Sequence, residues 1–434
     1  MPDVNQIVKI KEAAEADLLK RPGVTAVDVG YKYVGGKKTG EIAIRVHVVQ
    51  KKAVPPDQVI PATIDGVKTD VLQNNFVLHT ASIPETETLG IQAGVDANSY
   101  DPLLGGISIG PCRAVNGYIY AGTMGAIVLD NASTTRMMLS NFHVMCIDNG
   151  WTVGDTMVQP SRIEGGSCPN NVVGTLQRNS LGGQVDCAVA AITARGHINE
   201  IADIGCVTGI ANAALGIAVR KRGRTTGLTF GTIEGLALTT TIDYGDGLGQ
   251  VTLTNQILIH ADTTHNTLFS DHGDSGSVVV NGAGQVVGLL FAGDTTTGTT
   301  LANPIQSVLN VLNVSMGIMG IGGYDLRSTI DQAFAFDYDG SGKLDHPALY
   351  RPGTGTMWIL KNSGGQFSPV YAQGDPGNGI GGYDLKSAAD RAFAFDYDGS
   401  GKLDHLALYR PGTGTIWILK NSGGQFSPVY SATL

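Results

Sequence analysis

No apolar run in this 434-residue chain is long enough for a membrane-spanning helix, which argues against a helical span. The first residues, Met-Pro-Asp-Val-Asn-Gln, also lack the apolar core of a signal peptide, so the default expectation is a cytoplasmic chain with reduced thiols. Cysteine is scarce. The five, Cys112, Cys146, Cys168, Cys187 and Cys206, leave at least one thiol free, and none has the CxxC spacing of a zinc site. Cys146 and Cys168 bracket one loop and are the candidate pair under oxidation. Charge is scarce as well, at 15% of residues with a net charge of -9, and no basic stripe offers a footprint for nucleic acid. The one basic run, Arg220-Lys221-Arg222-Gly223-Arg224, reads as a solvated turn before a strand.

Glycine is abundant, at 60 residues, and Val, Ile and Thr recur in short runs broken by turn signals, which reads as a mainly β chain. The length suggests about three domains. Residues 4–20 have helical spacing and end at Arg21-Pro22-Gly23. Residues 24–31 and 41–49 then read as a hairpin around a turn at Gly35 to Gly40. Residues 1–81 are thus expected to form a small α/β accessory or pro-segment. A linker follows at 82–100, open to cleavage.

His272-Gly273-Asp274-Ser275-Gly276-Ser277 runs directly into the apolar Val278-Val279-Val280. A serine on a glycine-flanked turn lets neighbouring backbone N–H groups converge on a carbonyl oxygen, as acyl transfer needs. Two partners precede it. Arg136 to Val144 is an apolar strand that runs into His143, and Asp186 lies inside the small apolar stretch Val185 to Ala190. A carboxylate in such a stretch costs several kcal/mol of desolvation unless a donor meets it, and an imidazole Nδ1–H is such a donor.

Several ordered stretches carry a family likeness: Leu139-Ser140-Asn141-Phe142-His143-Val144, Val185 to Val189, Lys221 to Thr229, Gly273 to Ser277, Gly288 to Gly293 and Ala302-Asn303-Pro304-Ile305. With them, residues 101–315 resemble a trypsin-like serine protease domain with the chymotrypsin-like double β-barrel, of the bacterial and plant narrow-leaf type. The resemblance implies His143 as general base, Asp186 as its orienting carboxylate, Ser275 as nucleophile, and the amides of Gly273 and Ser275 as the oxyanion hole. It places the primary substrate pocket at Phe269, Ser270, Phe291, Ala292 and Gly293. With no acidic residue at the pocket base, the expected substrate side chain is apolar or small. No cofactor is expected for catalysis. No Ile-Val-Gly-Gly-like activation site precedes the domain, so the site is either preformed or has its oxyanion loop held by other contacts to Asp274.

Residues 320–434 contain a direct repeat, about 320–372 and 379–431. Each copy carries Asp-Tyr-Asp-Gly-Ser-Gly-Lys-Leu-Asp, at Asp337 to Asp345 and at Asp396 to Asp404. Asp337, Asp339, Ser341 and Asp345 supply oxygens at positions 1, 3, 5 and 9, with the Lys343 carbonyl at position 7. Asp396, Asp398, Ser400, Lys402 and Asp404 repeat the set. This spacing is the first part of a calcium loop, although Ala348 and Ala407 stand where an EF-hand has its glutamate. The repeats resemble the FG-GAP and VCBS repeats of β-propellers, which implies Ca2+ and a glycan or surface-protein partner. Calcium also raises export from the cell as the alternative to the cytoplasm. The resulting expectation is a serine endopeptidase acting on protein or peptide. The alternative is a non-catalytic, lectin-like adhesion protein on a protease fold.

Overall fold

The computed structural model describes residues 3–87, 94–133, 135–317, 321–324, 326, 328–363, 366–373 and 377–433. Residues 88–93 of the expected linker, and residue 320 and Asp325 at the start of the first repeat, lie outside the described residues. The chain is mainly β and divides into two compact units, Met1–Gly317 and Ile318–Leu434. Among the described residues, no helix is long and apolar enough to cross a membrane.

The first unit contains two closed six-stranded rings. In one, Ile107–Pro111 pairs with Tyr118–Met124, which continues past Gly125 as Ala126–Asp130 and pairs with Arg136–Ser140. Val185–Ile192, Val172–Gly182 and Thr156–Val158 follow, and the last returns to Ile107–Pro111. Ile109, Met124, Ile127, Met138, Val173 and Leu176 fill its interior. In the other ring, Ala218–Gly223, Val278–Asn281, Gln285–Asp294, Thr299–Pro304, Gln250–Ala261 and Gly227–Asp243 pair in turn, and the last closes on the first. Val219, Ile233, Ile257, Ile259, Val279 and Leu290 fill that interior. Closure pairs each strand of either ring with two neighbours, although Gly227–Asp243 runs on past the end of Ala218–Gly223. This is the double-barrel architecture expected from the sequence.

The amino-terminal segment is not a body apart. Its helix, Val4–Leu19, is capped by Asp3, which forms a capping box with Gln6. The hairpin Val24–Val34 and Lys37–Val48 turns more tightly than expected, at Gly35-Gly36. Its first strand pairs with the far half of Gly227–Asp243, Ala26 opposite Thr240 and Gly30 opposite Gly235, so the hairpin extends the second barrel's sheet. A buried charge cluster sits at this seam. Arg45 Nε donates to Asp28 Oδ1 at 2.7 Å and its Nη2 to Oδ2, while Asn74 Nδ2 and His47 Nδ1 lie 2.8 Å apart. Arg45 and His47 outweigh the burial that would raise the Asp28 carboxyl and bring it down to about 2.

The second unit holds two four-stranded antiparallel sheets, Gln332–Phe336 to Gln366–Ala372 and Arg391–Phe395 to Gln425–Ala432. Phe336, Tyr350, Met357 and Ile359 of the first share one core with Leu406, Leu408 and Leu419 of the second. Trp358 is buried and donates from Nε1 to the Gln373 carbonyl at 2.7 Å.

Candidate active site

The strand Arg136–Ser140 stops at Asn141, and the single helical turn Phe142–Met145 that follows carries His143 at its second position. Asn141 Nδ2 donates to the Asp186 carbonyl at 2.7 Å and ties that turn to the neighbouring strand. His143 and Asp186 are both buried, and the imidazole Nδ1–H donates to Asp186 Oδ2. An ionised carboxylate only accepts, so this bond puts the proton on Nδ1 and leaves Nε2 as the basic nitrogen. Nε2 is buried with no hydrogen-bond partner among the described residues.

Asp186 is held from several sides. Its carboxylate also accepts the Tyr244 hydroxyl at 2.9 Å and the His143 backbone N–H at 3.3 Å, while its own N–H donates to Asn303 Oδ1 at 3.0 Å. Burial first, and then the neighbouring Asp186 charge, push the Tyr244 hydroxyl far above the ordinary tyrosine range, which keeps it a donor. Sequence reasoning missed Tyr244, because it lies 58 residues from Asp186 in no motif.

The serine turn lies beside the histidine turn. A Cβ placed on Gly122 would sit 2.5 Å from Val144 Cγ2 and 3.0 Å from the Ser275 carbonyl oxygen, so a bare glycine separates the two segments. Gly273 and Gly276 flank Ser275 at φ +98° and +95°. A Cβ on Gly276 would lie 2.1 Å from both Ser140 Oγ and the Thr123 carbonyl. The Ser275 hydroxyl donates to the Phe291 carbonyl at 3.0 Å.

Asp274 secures the turn from behind. Fully buried, it pairs with Lys221 Nζ at 3.2 Å and accepts from Thr226 Oγ1 at 2.6 Å and from the N–H groups of Thr225, Thr226 and Asp271. Burial alone would raise its carboxyl, but Lys221 and these donors hold it below the usual range. The basic run is therefore not a solvated turn. Lys221, Arg222 and Arg224 are buried, with Arg222 on Asp96 and Arg224 on Glu164, because each cation meets a carboxylate inside the fold.

The cleft between the barrels contains part of the chain itself. Val77–Leu78 pairs antiparallel with Ala292 and Gly293 of Gln285–Asp294. The next residue, His79, donates its N–H to the Phe291 carbonyl at 3.2 Å, and its carbonyl accepts the Gly273 N–H at 2.6 Å. The His79 ring enters the expected pocket. Its Nδ1 lies 3.0 Å from Ser270 Oγ, which is 2.6 Å from Thr300 Oγ1, and its Cε1 and Nε2 crowd Gly293. Phe269 is buried beneath, in the barrel core. A polar Ser-Thr pair thus lines a pocket that the sequence suggested would favour apolar or small groups. Beyond His79, His272 Nδ1 donates to the Thr80 carbonyl at 3.1 Å, and Ala81–Pro84 pairs with Tyr118–Met124 of the first barrel. The expected linker at 82–100 therefore begins inside a strand.

The cysteines pair otherwise than expected. Cys112 is bonded to Cys168, whereas Cys146 is buried and free. Burial pushes the Cys146 thiol far up, which suits packing and not oxidation.

In the repeats, Asp339, Asp345 and His346 converge, as do Asp398, Asp404 and His405. Asp337 Oδ2 accepts the Gly342 N–H at 2.7 Å, while its Oδ1 is buried with no partner among the described residues. Asp396 accepts from Ser400 and Gly401 N–H groups, and Lys402 Nζ donates to the Gly340 carbonyl at 2.6 Å. The Ser341 and Ser400 hydroxyls accept the N–H groups of Lys343 and Lys402.

No family model matches the chain, and no curated protein matches it. Solved structures do. Protease A of Thermobifida fusca is 23% identical, with 49% of this chain and 97% of that one covered at a TM-score of 0.36. A glutamic acid specific serine protease, described as using a histidine triad in substrate binding, is 22% identical, with 49% and 100% covered at 0.35. An α-lytic protease homolog, N4, is 19% identical, with 49% and 98% covered at 0.37.

Proposed function

We propose that this chain is a serine endopeptidase acting through Ser275, His143 and Asp186. One observation carries the reading. The Gly273 N–H holds a peptide carbonyl oxygen at 2.6 Å on the turn that bears Ser275, beside a buried His143–Asp186 pair whose Nε2 is free to take a proton. Serine is a weak nucleophile at its free pKa, so His143 Nε2 removes the proton as Oγ attacks and returns it to the leaving amine. Asp186, itself fixed by Tyr244, keeps the proton on Nδ1 and faces the imidazolium as it forms. The Gly273 and Ser275 amides receive the charge on the carbonyl oxygen.

The test is labelling of the purified chain by a fluorophosphonate, alongside Ser275→Ala and His143→Ala. A chain with His79→Pro, which lacks the N–H that anchors the cleft segment on Phe291, is included so that the segment does not mask the serine. Labelling of the parent or the His79→Pro chain is expected, with loss in both triad variants and peptide hydrolysis down on the order of 10^6-fold. Labelling that survives either triad substitution, or that is absent from both the parent and the His79→Pro chain, overturns the reading.

For the repeats we propose a calcium role that places the peptidase on a glycan or surface protein. The partnerless, buried Asp337 Oδ1 and the converging Asp339 and Asp345 carboxylates support it, since hard oxygen donors suit Ca2+. The His346 and His405 rings beside them suit it less. Calorimetric titration of the full chain with CaCl2 tests this, and absence of heat at millimolar calcium refutes it.

A further inference from the structure

We propose that the segment Phe76 to Pro84 is a substrate held in cis, and that the His79–Thr80 peptide bond is cleaved by this chain's own Ser275. The proposal rests on the serine endopeptidase reading and deepens it by naming the bond and the side chain recognised. Four contacts define the pose. Val77 and Leu78 add a short strand to Gly293 and Ala292. The His79 N–H is anchored on Phe291, and its carbonyl oxygen sits on the Gly273 N–H, where an attacked carbonyl has to be. On the far side, Ala81 to Pro84 runs in register with Ala121 to Tyr118, so the chain is gripped by one barrel before the bond and by the other after it. Backbone pairing on both sides of the scissile bond is how an extended peptide is bound for reaction.

The pocket explains why histidine occupies that place. Ser270 Oγ meets the ring at Nδ1, and Thr300 Oγ1 fixes Ser270. Glycine at 293 leaves room for the ring edge, because any Cβ there would stand 2.6 Å from His79 Cε1. Burial first, and then the nearby His272, bring the imidazole down to about 4, so it sits in the pocket uncharged. Neutral imidazole is thus the group this pocket fits, and peptides with histidine before the scissile bond form the substrate class.

The step balances as ordinary acyl transfer. Ser275 Oγ bonds to the His79 carbonyl carbon, the carbon–nitrogen bond to Thr80 breaks, and the proton taken by His143 Nε2 goes to the Thr80 amine. Water then cleaves the ester, which leaves a carboxylate on His79 and restores the serine.

The experiment uses the full chain and reads intact mass under denaturing conditions, with amino-terminal sequencing. Fragments 1–79 and 80–434 are expected from the parent on incubation, with the Ser275→Ala chain remaining whole. A peptide of residues 75–82, Asn-Phe-Val-Leu-His-Thr-Ala-Ser, is expected to be cut after histidine by the His79→Pro chain, and at least about tenfold more slowly when lysine replaces that histidine. If the His79→Pro chain is labelled by fluorophosphonate while the parent stays uncut at 79–80, or the peptide is cut elsewhere, the cis-substrate proposal falls and the hydrolase reading stands. If neither chain is labelled, the hydrolase reading falls and takes this proposal with it.

Discussion

Lys221→Met tests what holds the serine turn in place. The substitution keeps the length of the side chain but leaves Asp274 buried without its cation. Removing one partner of a buried ion pair costs about 3–5 kcal/mol. Asp274 retains the Thr226 hydroxyl and three backbone donors, which argues for the lower end, about 3 kcal/mol. In a body of this size each kcal/mol lowers Tm by about 2 °C, so a drop of about 6 °C is expected in a calorimetric melt. Asp274 lies between Gly273 and Ser275, so a shifted carboxylate displaces the Gly273 N–H and the Ser275 hydroxyl together. The expected loss in kcat is about 10^2- to 10^3-fold. Burial also holds the Lys221 ammonium below the usual lysine range, although Asp274 pulls it back up. Activity should therefore decline as pH rises through that lowered value, and Lys221→Met should lack this alkaline limb. A variant within about 1 °C and about twofold of the parent, with the limb unchanged, would refute the reasoning.

Asp28 has an ordinary carboxyl value of 3.8 and is brought to about 2 in the fold, so it contributes about 2 kcal/mol above pH 3.8 that is lost as pH falls through 2. Urea melts at successive pH values should show this loss, and an identical acid profile in Asp28→Asn would contradict it. Tyr244→Phe removes one donor from Asp186, with an expected cost of about 1–2 kcal/mol in stability and about tenfold in kcat/KM. An unchanged pH profile of kcat/KM would show that Tyr244 does not position the carboxylate. The Cys112–Cys168 bond spans 56 residues and is worth about 4 kcal/mol by the chain-entropy account. Tm should fall when reduction is verified by thiol count, and an unmoved Tm counts against that contribution.

The residues that read most easily in the sequence are those whose chemistry needs local neighbours. Ser275 announces itself through the glycines that its turn requires, and His143 and Asp186 through the apolar strands that bury them. Tyr244, Thr300 and Lys221 act across the fold, so nothing adjacent in sequence marks them. Lys221 misleads further, because a cation in a basic run reads as solvated until its buried carboxylate is seen 53 residues away. The cleft segment was hidden for another reason. Asn75-Phe76-Val77-Leu78-His79 is a plain short strand, and only pairing with Gln285–Asp294 gives it a role. Cysteine pairing depends on which loops the closed first barrel brings together. The near-identical repeats were plain, since each sheet of the second unit follows the same order of strands.

The strand Gly227–Asp243 lends one edge to two different neighbours, first to Ala218–Gly223 and then to Val24–Val34. The barrel is closed only along the first stretch. Along the second, the hairpin is the cover that keeps backbone donors and acceptors from seeking another chain. The amino-terminal hairpin accordingly shields that edge from pairing with another chain. A polypeptide begun at Thr80 would expose that ledge and stack edge to edge, whereas one nicked there would keep its cover, docked through the pairing of Val24–Val34 with Gly227–Asp243.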